Sequence, residues 1–147
     1  MKKYILIFIA TIILTGCSND TIYLEDNLYN NNEFISIDST SINNKLDTTY
    51  LLYTYNNYCS MKIPCENIFK SVMEEYNISM YSIPYKDFKD TYLHDTVKYA
   101  PSVIIVDKGE IISYLDPNSD EDYDRYQDTN SFTKWLKKYI QLKRNDD

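Results

Sequence analysis

Glycine is nearly absent from this chain of 147 residues, which holds only Gly16 and Gly109. Phosphate-cradling loops and dinucleotide-binding turns need several glycines, because the backbone must approach the phosphates closely there. P-loop and Rossmann functions are excluded on that ground. Histidine is scarcer still, with His94 alone. Cys59, Cys65 and His94 are too few for a metal site unless carboxylates of known placement join them, so no metal and no cofactor are expected. A Cys–His nucleophilic pairing has no supporting pattern around Leu93–His94–Asp95, and His94 reads as solvated.

Positive charge is also short. The chain carries 15 bases against 22 acids, a formal net charge of −7. Such a surface repels phosphate backbones, and nucleic acid is not an expected partner. The same surface is repelled by an anionic bilayer, so any membrane attachment falls to a covalent anchor. The sequence offers one. Lys2 and Lys3 precede an apolar run over 4–14 that is too short for a lasting membrane span, and Leu14–Thr15–Gly16–Cys17 follows. Secretory signals have this form. Those four residues resemble a bacterial lipobox, which implies cleavage after residue 16 and lipidation of Cys17. A plain signal or anchor with an incidental cysteine is the alternative. Without Lys2 and Lys3, thirteen bases face the 22 acids, leaving about −9.

The length suits one domain. The expected division is a signal over 1–16, a lipidated cysteine with a polar, Asn-rich tether over 17–33, and a folded domain over 34–143. The alternation Phe34–Ile35–Ser36–Ile37 predicts a short strand. Asp38 to Thr40 can cap a helix over 41–46. Tyr50–Leu51–Leu52–Tyr53–Thr54–Tyr55 reads as a strand covered on both faces. Ile68, Phe69, Val72, Met73 and Tyr76 share one helical face. A strand over 78–83, a weak helix over 85–92, a hairpin of 102–106 with 111–115 around the Asp107–Lys108–Gly109–Glu110 turn, and a closing helix carrying Phe132, Trp135, Leu136, Tyr139 and Ile140 complete the order. The acidic stretch 116–128 reads as a solvated loop. An EF-hand beginning at Asp120 would need glycine and glutamate where Arg125 and Ser131 stand.

The chemistry concentrates in Cys59–Ser–Met–Lys–Ile–Pro–Cys65. Pro64 suits the first position of a helix, since its missing N–H would be unpaired there. Cys65 then falls in the first turn, where free backbone N–H groups and the helix dipole favour a thiolate. Cys59 lies near enough in sequence to close a small disulfide ring with it. In an oxidising compartment such a pair is either a catalytic couple or a structural staple.

The element order, with cysteines at the start of the second helix and Ala100–Pro101 before the hairpin, resembles the thioredoxin fold over roughly 34–142. Pro64–Cys65 resembles the end of that family's Cys-Gly-Pro-Cys motif. Lys108–Gly109–Glu110 resembles its hairpin turn. The resemblance implies an α/β fold with a central mixed sheet, helices on both faces and a C-terminal antiparallel hairpin. It further implies that Pro101 is a cis-proline facing the thiols, although an ordinary trans proline at a strand start remains open. Ala100 would then offer backbone groups to a bound peptide, and Tyr58 would stand where the family often has an aromatic before the first cysteine. Cys59 and Cys65 would be the catalytic pair, exchanging thiols and disulfides with exported proteins or peptides. Two departures stand against this: five residues separate the cysteines where active members have two, and the 50–55 strand contains no acid. A non-catalytic thioredoxin-like lipoprotein that binds a peptide or protein, with the cysteines as a staple, is the competing expectation. Either way the protein is expected as a monomer on the extracytoplasmic face of the cell membrane, held by lipid.

Overall fold

A computed structural model describes residues 21–57 and 61–142. Five strands form one sheet in the order β1-β3-β2-β4-β5. They are β1 (Phe34–Ser36), β2 (Thr49–Tyr55), β3 (Met80–Pro84), β4 (Ser102–Asp107) and β5 (Glu110–Tyr114). β1 and β2 run parallel to β3, while β4 runs antiparallel to β2 and β5 antiparallel to β4. The strand called from the 50–55 run is the middle of the sheet, and Tyr50, Leu51, Leu52, Tyr53 and Thr54 are all buried. A centre strand covered on both faces requires such a run.

Among the described residues, five α-helices flank the sheet: α1 (Ser39–Asn44), α2 (Cys65–Tyr76), α3 (Tyr85–Phe88), α4 (Asp120–Gln127) and α5 (Thr129–Leu136). Strand alternation assigns the two faces. Tyr53 meets Phe69 of α2 at 5.4 Å between ring centroids, and Phe69 meets Phe132 of α5 at 4.6 Å. Tyr50, on the other face, meets the Tyr81 ring at 5.9 Å beside the Lys45 ammonium. α1 is capped by Asp38, whose carboxylate accepts from the Ser41 N–H at 2.7 Å. α2 stops at Asn77, which takes the left-handed conformation (φ 52°) in place of a glycine. Lys108 and Gly109 (φ 48° and 82°) make the tight turn between β4 and β5.

The helix expected over 85–92 is only Tyr85–Phe88, followed by a 3-10 turn at Tyr92–Asp95, and α5 ends at Leu136, short of Tyr139 and Ile140. Two further segments differ from expectation. Residues 21–33, expected as tether, are packed onto the domain: Leu24, Leu28 and Tyr29 are buried members of the core. The Ile22 N–H donates to the Tyr139 carbonyl, the Gln141 N–H donates to the Ile22 carbonyl, and the Ser79 N–H donates to the Leu28 carbonyl. Leu24 and Leu28, isolated apolar residues in a polar context, give no periodicity to read, yet both are buried. Residues 18–20 and Cys17 lie outside the described residues. The second segment is the acidic stretch, which contains α4. Acids at Asp120, Glu121 and Asp122 occupy its first turn, where the dipole favours them. Tyr126 is its fully buried anchor.

Candidate functional site

The site forms at the carboxyl end of β2. Cys65 is the first residue of α2, and Pro64, expected at the first helical position, is its N-cap one residue earlier. Its side chain is 1% exposed. The sulfur sits 3.8 Å from the hydroxyl of Tyr53, a residue of the central strand. Tyr53 is in turn fixed by rings on three sides, Phe34, Tyr55 and Phe69 at 5.3, 5.7 and 5.4 Å. The strand that lacks an acid thus presents a phenol to the thiol.

Ala100–Pro101 is a cis peptide. β4 follows it, and the pairing of Ser102 with Thr54 puts it at the same end of the sheet as Asn56. The Asn56 amide donates to the Ala100 carbonyl at 3.1 Å. The Tyr126 hydroxyl lies 2.8 Å from both the Pro101 and the Leu115 carbonyls. Leu115 also accepts from the Ser102 hydroxyl at 2.6 Å. Burial pushes the Tyr126 hydroxyl far above the ordinary tyrosine range, and negative charge at Cys65 or at Asp122 pushes it the same way. Tyr126 therefore stays protonated and remains a donor. It links the thiol's surroundings to the proline loop.

α4 makes a second connection. The Gln127 amide donates to the Ile63 carbonyl at 3.0 Å, and its oxygen accepts from the Ile63 N–H at 2.9 Å. Ile63, two residues before Cys65, is thus held by a pair of hydrogen bonds. Tyr53, Tyr126, Asn56 and Gln127 are site residues that sequence reasoning did not single out. Acids clustered ahead of a Tyr at i+3 or i+4 were the available signal for α4. Asp122 is engaged locally: it pairs with Arg125 and accepts from the Asp116 N–H.

Of the expected site residues, Cys65, Ala100 and Pro101 converge on this end of the sheet. Tyr58, Cys59 and the lipidation residue Cys17 lie outside the described residues. Beside Asn56 an open cleft of about 470 Å³ is lined by Tyr55, Asn57, Pro84, Tyr85 and two lysines, Lys86 and Lys89. A smaller one of about 240 Å³ lies between Tyr53, Tyr55, Phe34 and Glu66. His94, expected as solvated, is half-buried against the Tyr85 and Phe88 rings at 5.9 and 6.0 Å.

Residues 1–18 match the family model of the prokaryotic membrane lipoprotein lipid attachment site. No curated protein matches the sequence. Solved thioredoxins match the structure. Thioredoxin from Nicotiana alata aligns at 12% identity and a TM-score of 0.51, over 76% of this chain and 95% of that one. Thioredoxins of Plasmodium falciparum (9%, TM-score 0.49) and Schistosoma mansoni (15%, TM-score 0.47) each align over 74% of this chain and 99% of theirs. At these identities the likeness is one of fold, and the Nicotiana alata structure carries it. The chain has the thioredoxin fold, with a mixed sheet between helices and an antiparallel β4–β5 pair, behind a lipoprotein attachment signal.

Proposed function

We propose that this membrane-anchored thioredoxin-fold protein exchanges thiols and disulfides with exported proteins through Cys59 and Cys65. The observation that carries the reading is the setting of Cys65. It opens α2, it is buried under the Tyr53 hydroxyl, and the Tyr126 phenol ties its surroundings to the cis Ala100–Pro101 peptide. A buried thiol suits the resolving step, since a bulky disulfide cannot reach it first. Cys59, six positions upstream, is then the attacking residue.

In the reducing direction the Cys59 thiolate attacks one sulfur of a substrate disulfide. A Cys59–substrate bond forms, and the other substrate sulfur leaves as a thiolate that takes a proton from solvent. Cys65, as thiolate, attacks the Cys59 sulfur. The mixed disulfide breaks, the second substrate thiol is released, and Cys59–Cys65 remains oxidised. A dithiol partner restores the pair, and in the oxidising direction the same steps run backwards. The substrate chain is seated along Ala100–Pro101, with the cleft at Tyr55, Pro84 and Tyr85 receiving its flanking side chains. Tyr58 supplies an aromatic surface before Cys59.

A second reading has its own support. The Gln127 clamp on Ile63 and the five-residue spacing suit a permanent Cys59–Cys65 staple in a protein that binds peptides without turning them over. Titration of the pair in redox buffers separates the readings, together with Cys59→Ser and Cys65→Ser variants. Turnover predicts a mixed disulfide that accumulates in Cys65→Ser and a potential above ~−300 mV. A lower potential with no trapped partner in either variant establishes the staple.

A further inference from the structure

The packed segment 21–33 leaves the molecule at the end of the sheet opposite the site. The Glu25 N–H donates to the carbonyl of Thr49, the first residue of β2, at 2.8 Å. Tyr29 bonds the Gln141 carbonyl at 2.7 Å through its hydroxyl. Lys137, one residue past α5, lies over the Tyr76 ring that ends α2. The start of β2, the end of α2 and the end of α5 thus share one pole, and Ile22 is fastened to it. Pairing of Thr49 with Asp107 and of Thr54 with Ser102 puts Pro101 at the other pole. β2 alone separates the poles by about 20 Å at ~3.3 Å per residue.

Cys17 precedes Thr21 by four residues. Four residues reach at most about 14 Å even when fully extended. We infer that the domain rests on the bilayer by its Thr21 pole, with Tyr23 and Leu46 nearest the headgroups and the Cys65–Pro101 pole turned away from the membrane. The inference rests on lipidation at Cys17, and it narrows the partner class of the proposed exchange. Substrates are exported chains standing in solution, not segments buried in the bilayer.

A further observation agrees. Tyr23 and Leu46 are 46% and 48% exposed, and Leu46 lies against Gly109 of the hairpin turn at this same pole. Tyrosine is a residue that settles at headgroup level.

The test uses the full-length lipidated protein on vesicles of phosphatidylcholine and phosphatidylglycerol that carry a headgroup quencher. Tyr23→Trp and Tyr99→Trp place reporters at the two poles, and the buried native Trp135 supplies the baseline and reports folding. The expected result is quenching several-fold stronger at position 23 than at position 99. Insertion of about twelve Gly/Ser residues after Asp20 is expected to remove the difference by lengthening the reach. Equal quenching at both positions, stronger quenching at 99, or quenching at neither overturns the orientation. Failure of the protein to float with vesicles overturns the lipid anchor, and the orientation with it. No thiol chemistry enters the measurement, so its outcome is independent of whether the cysteines turn over.

Discussion

At the pole that holds Cys65 and Pro101, the joints are neutral hydrogen bonds from buried side chains to carbonyls: Tyr126 to Pro101 and Leu115, Ser102 to Leu115, Asn56 to Ala100. At the Thr21 pole, the joints are backbone bonds from a strap that brings three buried apolar residues with it, plus one ion pair. That pair, Lys45 to Glu25 at 2.8 Å, is partly open to water. The first arrangement holds a proline loop and a helix start in fixed relation, which a site for exchange or binding needs. The second holds a short chain against the body. The polar stretches at 21–33 and 116–128 look alike as sequence, yet one fastens the anchor end and the other builds the site.

The contrast is sharpest where the strap meets the core. Leu28→Ala is expected to cost about 2–5 kcal/mol, as for any fully buried leucine, and urea unfolding of the domain reads it directly. A loss under about 0.5 kcal/mol, the usual size of a surface change, would mean that the segment is a tether after all.

Tyr126→Phe tests the opposite pole. It removes the hydroxyl that serves Pro101 while Ser102 still serves Leu115, so about 1–3 kcal/mol is expected from the buried carbonyl left unpaired. The pH dependence sharpens this. The folded pKa of Tyr126 lies above its ordinary value of 10.0, so its stabilisation is complete below that value and is lost as pH rises from there toward the folded pKa. Unfolding midpoints measured from pH 8 to 11 should therefore fall less steeply above pH 10 in Tyr126→Phe than in the unchanged protein. Equal slopes would show that Tyr126 is not the group responsible.

Lys45→Met probes the ion pair and is expected to cost about 1 kcal/mol or less. Burial draws the Lys45 ammonium down, but its hydrogen bond and charge contact with Glu25 outweigh that and raise it above 10.5. The pair's contribution is thus present below that value and fades as pH rises through the folded pKa. A loss that disappears in 0.5 M salt is expected, since the pair is partly solvated. The smallest effect belongs to Asp128, fully exposed at the cap of α5, where the Ser131 N–H holds the carboxylate below its ordinary range. Its contribution is present above the unfolded value of 3.8 and is lost as pH falls through the folded one. Asp128→Ala should lower stability slightly at neutral pH and flatten the acid limb, so that the two profiles converge at low pH.

Much of this was legible in the chain. The nearly continuous apolar run from Tyr50 to Tyr55 marks the central strand, since a strand covered on both faces has that composition. Pro64 marked the start of α2, and the 3.6-residue spacing of Ile68, Phe69, Val72 and Met73 marked its buried face. Lys108–Gly109 announced the hairpin. Tyr126 was hidden because a single anchor among acids makes no stripe, and Leu24 and Leu28 were hidden because isolated apolar residues have no period.

Local pattern by itself determined the central strand, the hairpin and the buried face of α2, and that a cysteine lies in its first turn. Such features depend on backbone geometry and on neighbours within a turn or two. Tertiary structure alone decided that Tyr53 and Tyr126, 73 positions apart, both attend the surroundings of Cys65, and that the strap is fastened at the far pole. A buried hydroxyl gains most from an acceptor wherever the fold supplies one, and separation along the chain sets no limit on that choice.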